Sequence, residues 1–524
     1  MFEKKNDKLL FAAIIISALI LRFLLRDYAS KDFSGYISVW INHFRNNGGI
    51  HGLKNLKSDY NVVYNYLLII ISYFRFNDLY LVKLISVIFD FALAFGAAAL
   101  SREAGVGKKR QLLCFFLILF LPTVVMNSSL WAQCDSMYAA FIVWSLYFLI
   151  KDKPIKSVAF VTLAFALKLQ TVFIAPVFLI ALIYKKIKIR HIFVFPITYI
   201  LTIIPALIFG SSLKNTIMVY FVQSKEYLTM SLNSASIFSL FRIERFDPFL
   251  EKVSIITALL IVIIIVAEIY RKKQEFTPEF LISVSFYFSL LIPFLLPHMH
   301  DRYFYVSEIF SVTYFVCYGK KRLILPLLLQ ASALLVYFCY FGFIGKIIRP
   351  SNDYLTPQIA GLLQFFAVII LSGHFYYDYF TKELYNFKKL ITALVIASFI
   401  SAAGIYYFRE KEFSVKINDQ NVSFISHINK LNNNTMLPLR PIMDAYGAEV
   451  SFDKEALIVG IKTEKNYIKI TANTREAIIN GEAVKLNLML ALEEGSTYIS
   501  AADAAYLLGL KVEFEGSKRM SFYQ

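Results

Sequence analysis

Residues 278–297 read PEFLISVSFYFSLLIPFLLP, residues 298–305 read HMHDRYFY, and residues 306–319 read VSEIFSVTYFVCYG. Two strongly apolar runs enclose His298, His300, Asp301 and Arg302. The runs lack the period-two alternation of a half-buried strand and are long enough to be membrane helices. The whole chain repeats this pattern. It is 58% hydrophobic and only 17% charged, with a mean hydropathy of +0.58. A soluble domain of this length does not have that composition, so the sequence reads as a polytopic α-helical membrane protein.

The net charge of +17 would point to nucleic acid in a soluble protein. Here the basic residues sit in short loops between apolar runs, as topology requires, and no nucleic-acid partner is implied. The first run, LLFAAIIISALILRFLL, is followed by Arg26 and Asp27 rather than a small-residue cleavage site, and reads as an anchor. Cys114, Cys134, Cys317 and Cys339 are scattered in the apolar part and form neither a metal motif nor a disulfide framework.

Lys4, Lys5 and Lys8 precede the first run and place the N-terminus in the cytoplasm. The loops SREAGVGKKR, KDKPIK, KKIKIRH, RKKQEF, KKR and TKELYNFKK fall on the same side. Spans are expected near 9–25, 78–100, 112–126, 137–150, 192–210, 253–270, 278–297, 304–318, 323–345, 358–378 and 389–408. Residues 157–184 have basic loops at both ends, yet two full spans need about 40 residues. A hairpin of short or broken helices with Lys168 to Gln170 at its tip resolves this. The expected total is about 13 passes, with a multi-pass location in the cell membrane. Five polar segments then face outward together: 26–77, 127–138, the Lys168 tip, 211–252 and 297–305. The first is a large outer loop with two helices lying near the interface, DFSGYISVWINHF and YNYLLIIISYF. Its Lys31, Arg45, Lys54, Lys57 and Arg75 run against the positive-inside trend and suggest an anion held outside.

After Phe408 the pattern changes to strand-like alternation, as in FSVKINDQNVSFIS. Residues 1–408 therefore form the membrane domain, and 409–524 a small extracytoplasmic α+β domain. That domain repeats at an offset of 62: Thr435/Thr497, Gly447/Gly509, Val450/Val512 and Phe452/Phe514 coincide, as do KINDQNV (416–422) and IINGEAV (478–484). Each unit reads as hairpin, short helix and strand, with the glycine ending the helix. The stretch LPLRPIMDAYGAEVSFD resembles the domain named after the N-terminal module of copper amine oxidases. The resemblance implies a binding or spacing role and no copper, since the only histidine here is His427.

Each outer carboxylate has a plain reading beside the functional one. Asp27 follows the first span and can simply mark the interface, and Asp90 can serve packing within a span. Asp32, Asp59 and Asp135 each sit where a helix N-cap is expected. The HMHDR cluster admits three readings: a zinc site built on His-x-His, a solvated loop, or a group that handles a phosphate and a hydroxyl. Lys168 adds a cation on the same side, or else a snorkelling side chain. No Walker loop, GxGxxG, HExxH or nucleophile elbow is present. The cytoplasmic loops are too short for a nucleotide-binding domain, so a lipid-linked donor at the outer leaflet fits best.

The ordered series DFSGYISVW (32–40), Gly48-Gly49, DYNVVYNYLL, KLISVIFD, NSSLWAQCDSMY, ALKLQTVFIAP, LNSASIF and PHMHDRYFYVSE resembles one bacterial family over residues 9–320. These are the GT-C-fold membrane glycosyltransferases related to the second mannosyltransferase of GPI-anchor assembly. Val63 stands where the family pattern DYNxPY has a proline. The resemblance implies transfer of a hexose, mannose first, from a polyprenyl-phosphate sugar to an acceptor hydroxyl of an envelope glycan, lipid or protein. Asp32 sits where the family's acidic residue of the first outer loop is expected, and is assigned as the base. Arg302, Lys168, His298 and His300 are assigned to the donor phosphate. Asp59, Gln133, Asp135, Gln170, Asn233 and Asp301 are assigned to substrate. No cofactor or metal is expected. The rival reading is a transporter or flippase of lipid-linked sugars, which would also hold buried charges and a broken hairpin.

Overall fold

The computed structural model describes residues 5–56, 58, 60–220, 229–243, 245–343, 355–380, 411–417, 420–426, 433–453, 456–493, 496–515 and 519–523. It divides into two compact units, residues 1–391 and 392–524. Asp59, the expected span at 389–408 and the expected boundary at 408/409 all lie outside the described residues.

The first unit is helical. Six of its described helices are long and apolar enough to cross a membrane: Asp78–Glu103, Ile189–Ile208, Pro248–Arg271, Pro278–Leu295, Lys320–Tyr340 and Leu355–Tyr379. A seventh crossing arises if Lys108–Leu119 and Pro122–Leu130, bent by 47° at their junction, count as one. The sequence sets several starts directly. Asn77 accepts from the N–H groups of Leu79 and Tyr80, and Asp247 and Thr277 cap helices that open with Pro248 and Pro278.

Two expected spans are short. Asp135–Ile150 has 16 residues and Tyr305–Tyr318 has 14, against about 20 for the hydrocarbon layer. Both are largely buried within the protein, the first against Asp78–Glu103 and Pro154–Leu167, the second against Pro278–Leu295. A helix sheathed by protein need not match the lipid thickness. Asp90 proves to be a packing group: Arg22 Nε and Nη2 donate to its carboxylate at 3.0 and 2.8 Å, and Ser128 Oγ at 2.7 Å.

The expected break is present. Helix Pro154–Leu167 stops at Lys168, which is fully extended (φ −149°, ψ 136°), and a tight turn over Leu169–Ile174 leads into Ala175–Ile183. The first long loop carries helix Val62–Ser72 and the segment 31–46, whose turn Phe33–Ile37 is widened to π geometry. A second π turn, Met126–Leu130, precedes Trp131. Such turns rotate the side chains that follow and recur at functional sites.

The second unit contains strands β1 (Lys411–Ile417), β2 (Gln420–Ser426), β3 (Met436–Pro438), β4 (Glu449–Asp453), β5 (Ile458–Lys462), β6 (Tyr467–Thr471), β7 (Glu476–Ile479), β8 (Glu482–Lys485), β9 (Ala491–Glu493), β10 (Ser496–Ser500), β11 (Lys511–Glu515) and β12 (Arg519–Tyr523). Three sheets run β8-β7-β6-β5-β4, β9-β10-β3 and β11-β12-β1-β2. Helices Leu439–Tyr446 and Ala501–Leu508 end on Gly447 and Gly509, both left-handed (φ 90° and 67°), as the repeat predicts. Leu437 pairs with Ile499, its own repeat equivalent 62 residues on, so an approximate dyad passes through that pair. The hairpin β1–β2 of the first repeat joins β11–β12 of the second, while β7–β8 of the second joins the sheet of β4–β5 of the first. The repeats are interlocked rather than stacked.

Candidate functional site

A cavity of about 530 Å³ opens in the first unit where the first long loop, the Lys168 break, residues 229–233 and the HMHDR segment meet. It is lined by Asp32, Gln133, Lys168, Gln170, Asn233, His300, Asp301 and Arg302, among others. These residues lie far apart in sequence, and the fold gathers them.

Asp32 is not an N-cap. Its backbone is already helical (φ −63°, ψ −42°) and it makes no side-chain cap bond. Ser30 takes that place, its Oγ accepting from the Phe33 N–H at 3.1 Å. The Asp32 carboxylate is thereby freed for other donors. Oδ2 accepts from Trp131 Nε1 at 2.9 Å and Gln133 Nε2 at 2.7 Å, and Oδ1 from the Tyr340 hydroxyl at 2.6 Å. Gln133 is itself fixed by the Tyr60 hydroxyl at 2.9 Å. Oriented this way, the carboxylate faces the cavity with one rotamer.

Arg302 sits among carboxylates without a hydrogen bond to Asp32 or Asp135. Its Nη2 is 3.7 Å from Asp32 Oδ2, its Nη1 3.9 Å from Asp135 Oδ2, and its Nε 3.4 Å from Asp301 Oδ1. Nη1 and Nε are buried and have no hydrogen-bond partner among the described residues. A buried guanidinium with idle N–H groups is costly unless a ligand completes it, and a planar oxyanion or phosphate is the match for its fork. The guanidinium also lies over the Trp131 ring at 4.7 Å, and Tyr340 stacks on Trp131 at 3.9 Å.

Asp135 is buried behind the cavity wall, where it pairs with Lys168 Nζ and accepts from Asn127 Nδ2 at 2.7 Å. It holds Lys168 in place and does not line the cavity to which its assignment to substrate refers. Lys168 does not snorkel; its side chain is only 10% exposed. Burial, reinforced by Arg302 and Lys168, pushes the His300 imidazole down to about 3, so it acts near neutrality as an uncharged donor or acceptor. Burial raises Asp301 to about 6, partly offset by Arg302.

His298 does not line the cavity, contrary to its assignment to the donor phosphate. Its left-handed backbone (φ 62°) turns it away from the extended path that would set it beside His300. Nδ1 lies 2.6 Å from the Thr229 carbonyl and Nε2 3.1 Å from Glu251 Oε1. Together with the parallel pairing of Ser231 with Met299 and Leu232 with His300, it straps residues 229–233 onto the site. Replacing His298 by Asn, which tolerates the backbone, removes these contacts. Amide exchange over residues 229–233 is expected to quicken about tenfold, for roughly 1–2 kcal/mol of lost hydrogen bonding. Unchanged protection in hydrogen–deuterium exchange would refute the strap.

Asp27 lies elsewhere, paired with Arg26 and the Tyr80 hydroxyl, and its side chain is 62% exposed. Tyr340 and Tyr36 of the cavity wall were not expected from sequence. Tyr36 has a signal in hindsight, standing four residues after Asp32, whereas Tyr340 lies in an apolar run that hydropathy alone describes.

Residues 416–522 match the family model of the copper amine oxidase N-terminal domain. No curated protein matches the chain.

Proposed function

We propose that the first unit is a membrane glycosyltransferase that moves a hexose, mannose first, from a polyprenyl-phosphate sugar to an acceptor hydroxyl at the outer membrane face. The observation that carries this reading is one oriented carboxylate beside one buried, under-used guanidinium in a single cavity: Asp32 and Arg302, 3.7 Å apart. Such a pair suits a displacement that needs a base and an anionic leaving group in reach of each other. The resemblance of the ordered motifs to the GT-C family supports it as well.

In this scheme the acceptor oxygen attacks the anomeric carbon as its proton passes to Asp32. The bond from that carbon to the phosphate oxygen breaks, and its electron pair leaves on polyprenyl phosphate. Inversion at carbon follows from the single displacement. Arg302 and Lys168 receive the growing negative charge, and His300 can donate to it as a neutral imidazole. In this reading Gln133, Gln170, Asn233 and Asp301 contact sugar hydroxyls. The outward orientation, about 13 passes, and a C-terminal domain outside the membrane belong to this proposal. That domain serves binding or spacing.

The test uses the full chain in lipid nanodiscs with a panel of polyprenyl-phosphate hexoses and cell-envelope acceptors. Release of free polyprenyl phosphate from one donor in particular is the expected result. No release from any donor, with movement of a lipid-linked sugar across vesicles instead, would replace the transferase by a carrier.

A further inference from the structure

The segment 31–46 presents more than a base to the cavity. Asp32, Tyr36 and Trp40 recur at four-residue intervals, and all three line the cavity wall. The π turn over Phe33–Ile37 lies between them and keeps this spacing on one face. Three other aromatic rings of the wall are committed. Trp131 is covered by Arg302 on one side and Tyr340 on the other, and the Tyr60 and Tyr340 hydroxyls serve Gln133 and Asp32. Tyr36 differs: it is 56% exposed, and its ring meets Trp40 at 6.1 Å. Trp40 in turn reaches Tyr60 at 5.7 Å. An aromatic rail thus runs from the exposed rim past the base into the cavity.

A second observation concerns polar atoms. Gln170 Oε1 and Asn233 Oδ1 belong to residues lining the same cavity, are buried, and have no hydrogen-bond donor among the described residues. Both are acceptors that await hydroxyl or amide hydrogens. A ligand that fits must present apolar C–H faces to a tyrosine ring and several hydroxyls to carbonyl oxygens. A pyranose does both, because its axial C–H edges are slightly positive and pack on the negative face of an aromatic ring. A serine, threonine or alkanol hydroxyl offers one donor and no such face.

We propose that Tyr36 and Trp40 form an acceptor subsite for a glycan, with a pyranose stacked on Tyr36 while its hydroxyl meets Asp32. This rests on the transferase reading for its role, but not for its binding chemistry. The probes are hexyl glycosides of mannose, glucose, galactose and N-acetylglucosamine, set against hexan-1-ol and N-acetylthreonine amide. Binding to the full chain in nanodiscs is read by saturation-transfer NMR, and transfer by polyprenyl phosphate release with the panel of donors.

At least one glycoside is expected to bind and to be glycosylated, with the alkanol and the threonine amide at least tenfold poorer. Tyr36→Ala should weaken glycoside binding about 10-fold, with the kinetic loss falling mainly on KM, while Tyr36→Phe retains both. Glycoside binding or KM unmoved in Tyr36→Ala, or an alkanol used as well as the glycosides, would overturn the subsite. So would the absence of glycoside binding. Tyr36-dependent binding without donor turnover would leave the subsite standing and remove the transferase reading instead.

Discussion

Asp32→Asn is expected to slow polyprenyl phosphate release about 100- to 10,000-fold, the usual loss on removing a general base. The substitution is close to isosteric, and the scaffold around it can persist. The amide oxygen takes the place of Oδ2 and still accepts from Trp131 and Gln133, while the amide nitrogen faces the Tyr340 oxygen, which can accept. What is lost is the ability to take a proton. An unfolding temperature near wild type, with donor binding intact and turnover slowed by that factor, is the expected pattern. Near-full turnover would sink the assignment. Asp27 could not then inherit the role, since it is exposed and engaged with Arg26 and Tyr80. Asp301, inside the cavity, would be the next carboxylate to replace.

Arg302 carries the second large effect, and two substitutions separate its parts. Arg302→Lys retains the charge but not the planar fork, and a loss of about 100- to 1,000-fold in turnover is expected from the broken contacts to the leaving phosphate. Arg302→Ala goes further. It leaves Asp32, Asp135 and Asp301 facing one another with Lys168 as the remaining cation of the group, and the side chains of Asp135 and Asp301 are 2% and 8% exposed. Removing one partner of such a buried set costs about 3–5 kcal/mol. The alanine variant should therefore unfold at lower temperature, whereas the lysine variant stays folded and slow. Equal turnover in Arg302→Lys and wild type would show that only charge matters there, and that the fork does not grip the phosphate.

Much of this arrangement can be read from the residues, and the reasons differ case by case. The break at Lys168 follows from arithmetic, because 28 residues between two basic loops cannot make two full crossings. The helix-ending glycines follow from their left-handed backbone, which the repeat marks twice. Asp32, Arg302 and Lys168 share one cavity. His298 defeats the sequence argument because alternation assumes extended chain, and one left-handed residue reverses where its ring goes. Asp135 looks like a ligand contact but spends its charge on Lys168, a pairing across 33 positions that no local pattern records. Tyr340 meets Asp32 across 308 positions, from a run whose apolar character hides the one hydroxyl that matters.

The interlocked repeats of the second unit bear on when that domain can become stable. Strand β1 (Lys411–Ile417) is flanked by β2 and by β12 (Arg519–Tyr523), and its pairing with β12 is parallel. Roughly a hundred residues must therefore be synthesised before the early strand finds its second neighbour. Until then β1–β2 has the helix Leu439–Tyr446 against it but no third strand, and a hairpin without further strands is marginal in water. The sheet β8-β7-β6-β5-β4 pairs only strands adjacent in sequence, whereas the sheet that joins β1 to β12 needs a contact this distant in sequence, which forms slowly. That sheet closes only after the ribosome has delivered both halves, so a nascent chain halted midway would hold β1 with an unfinished and exposed edge.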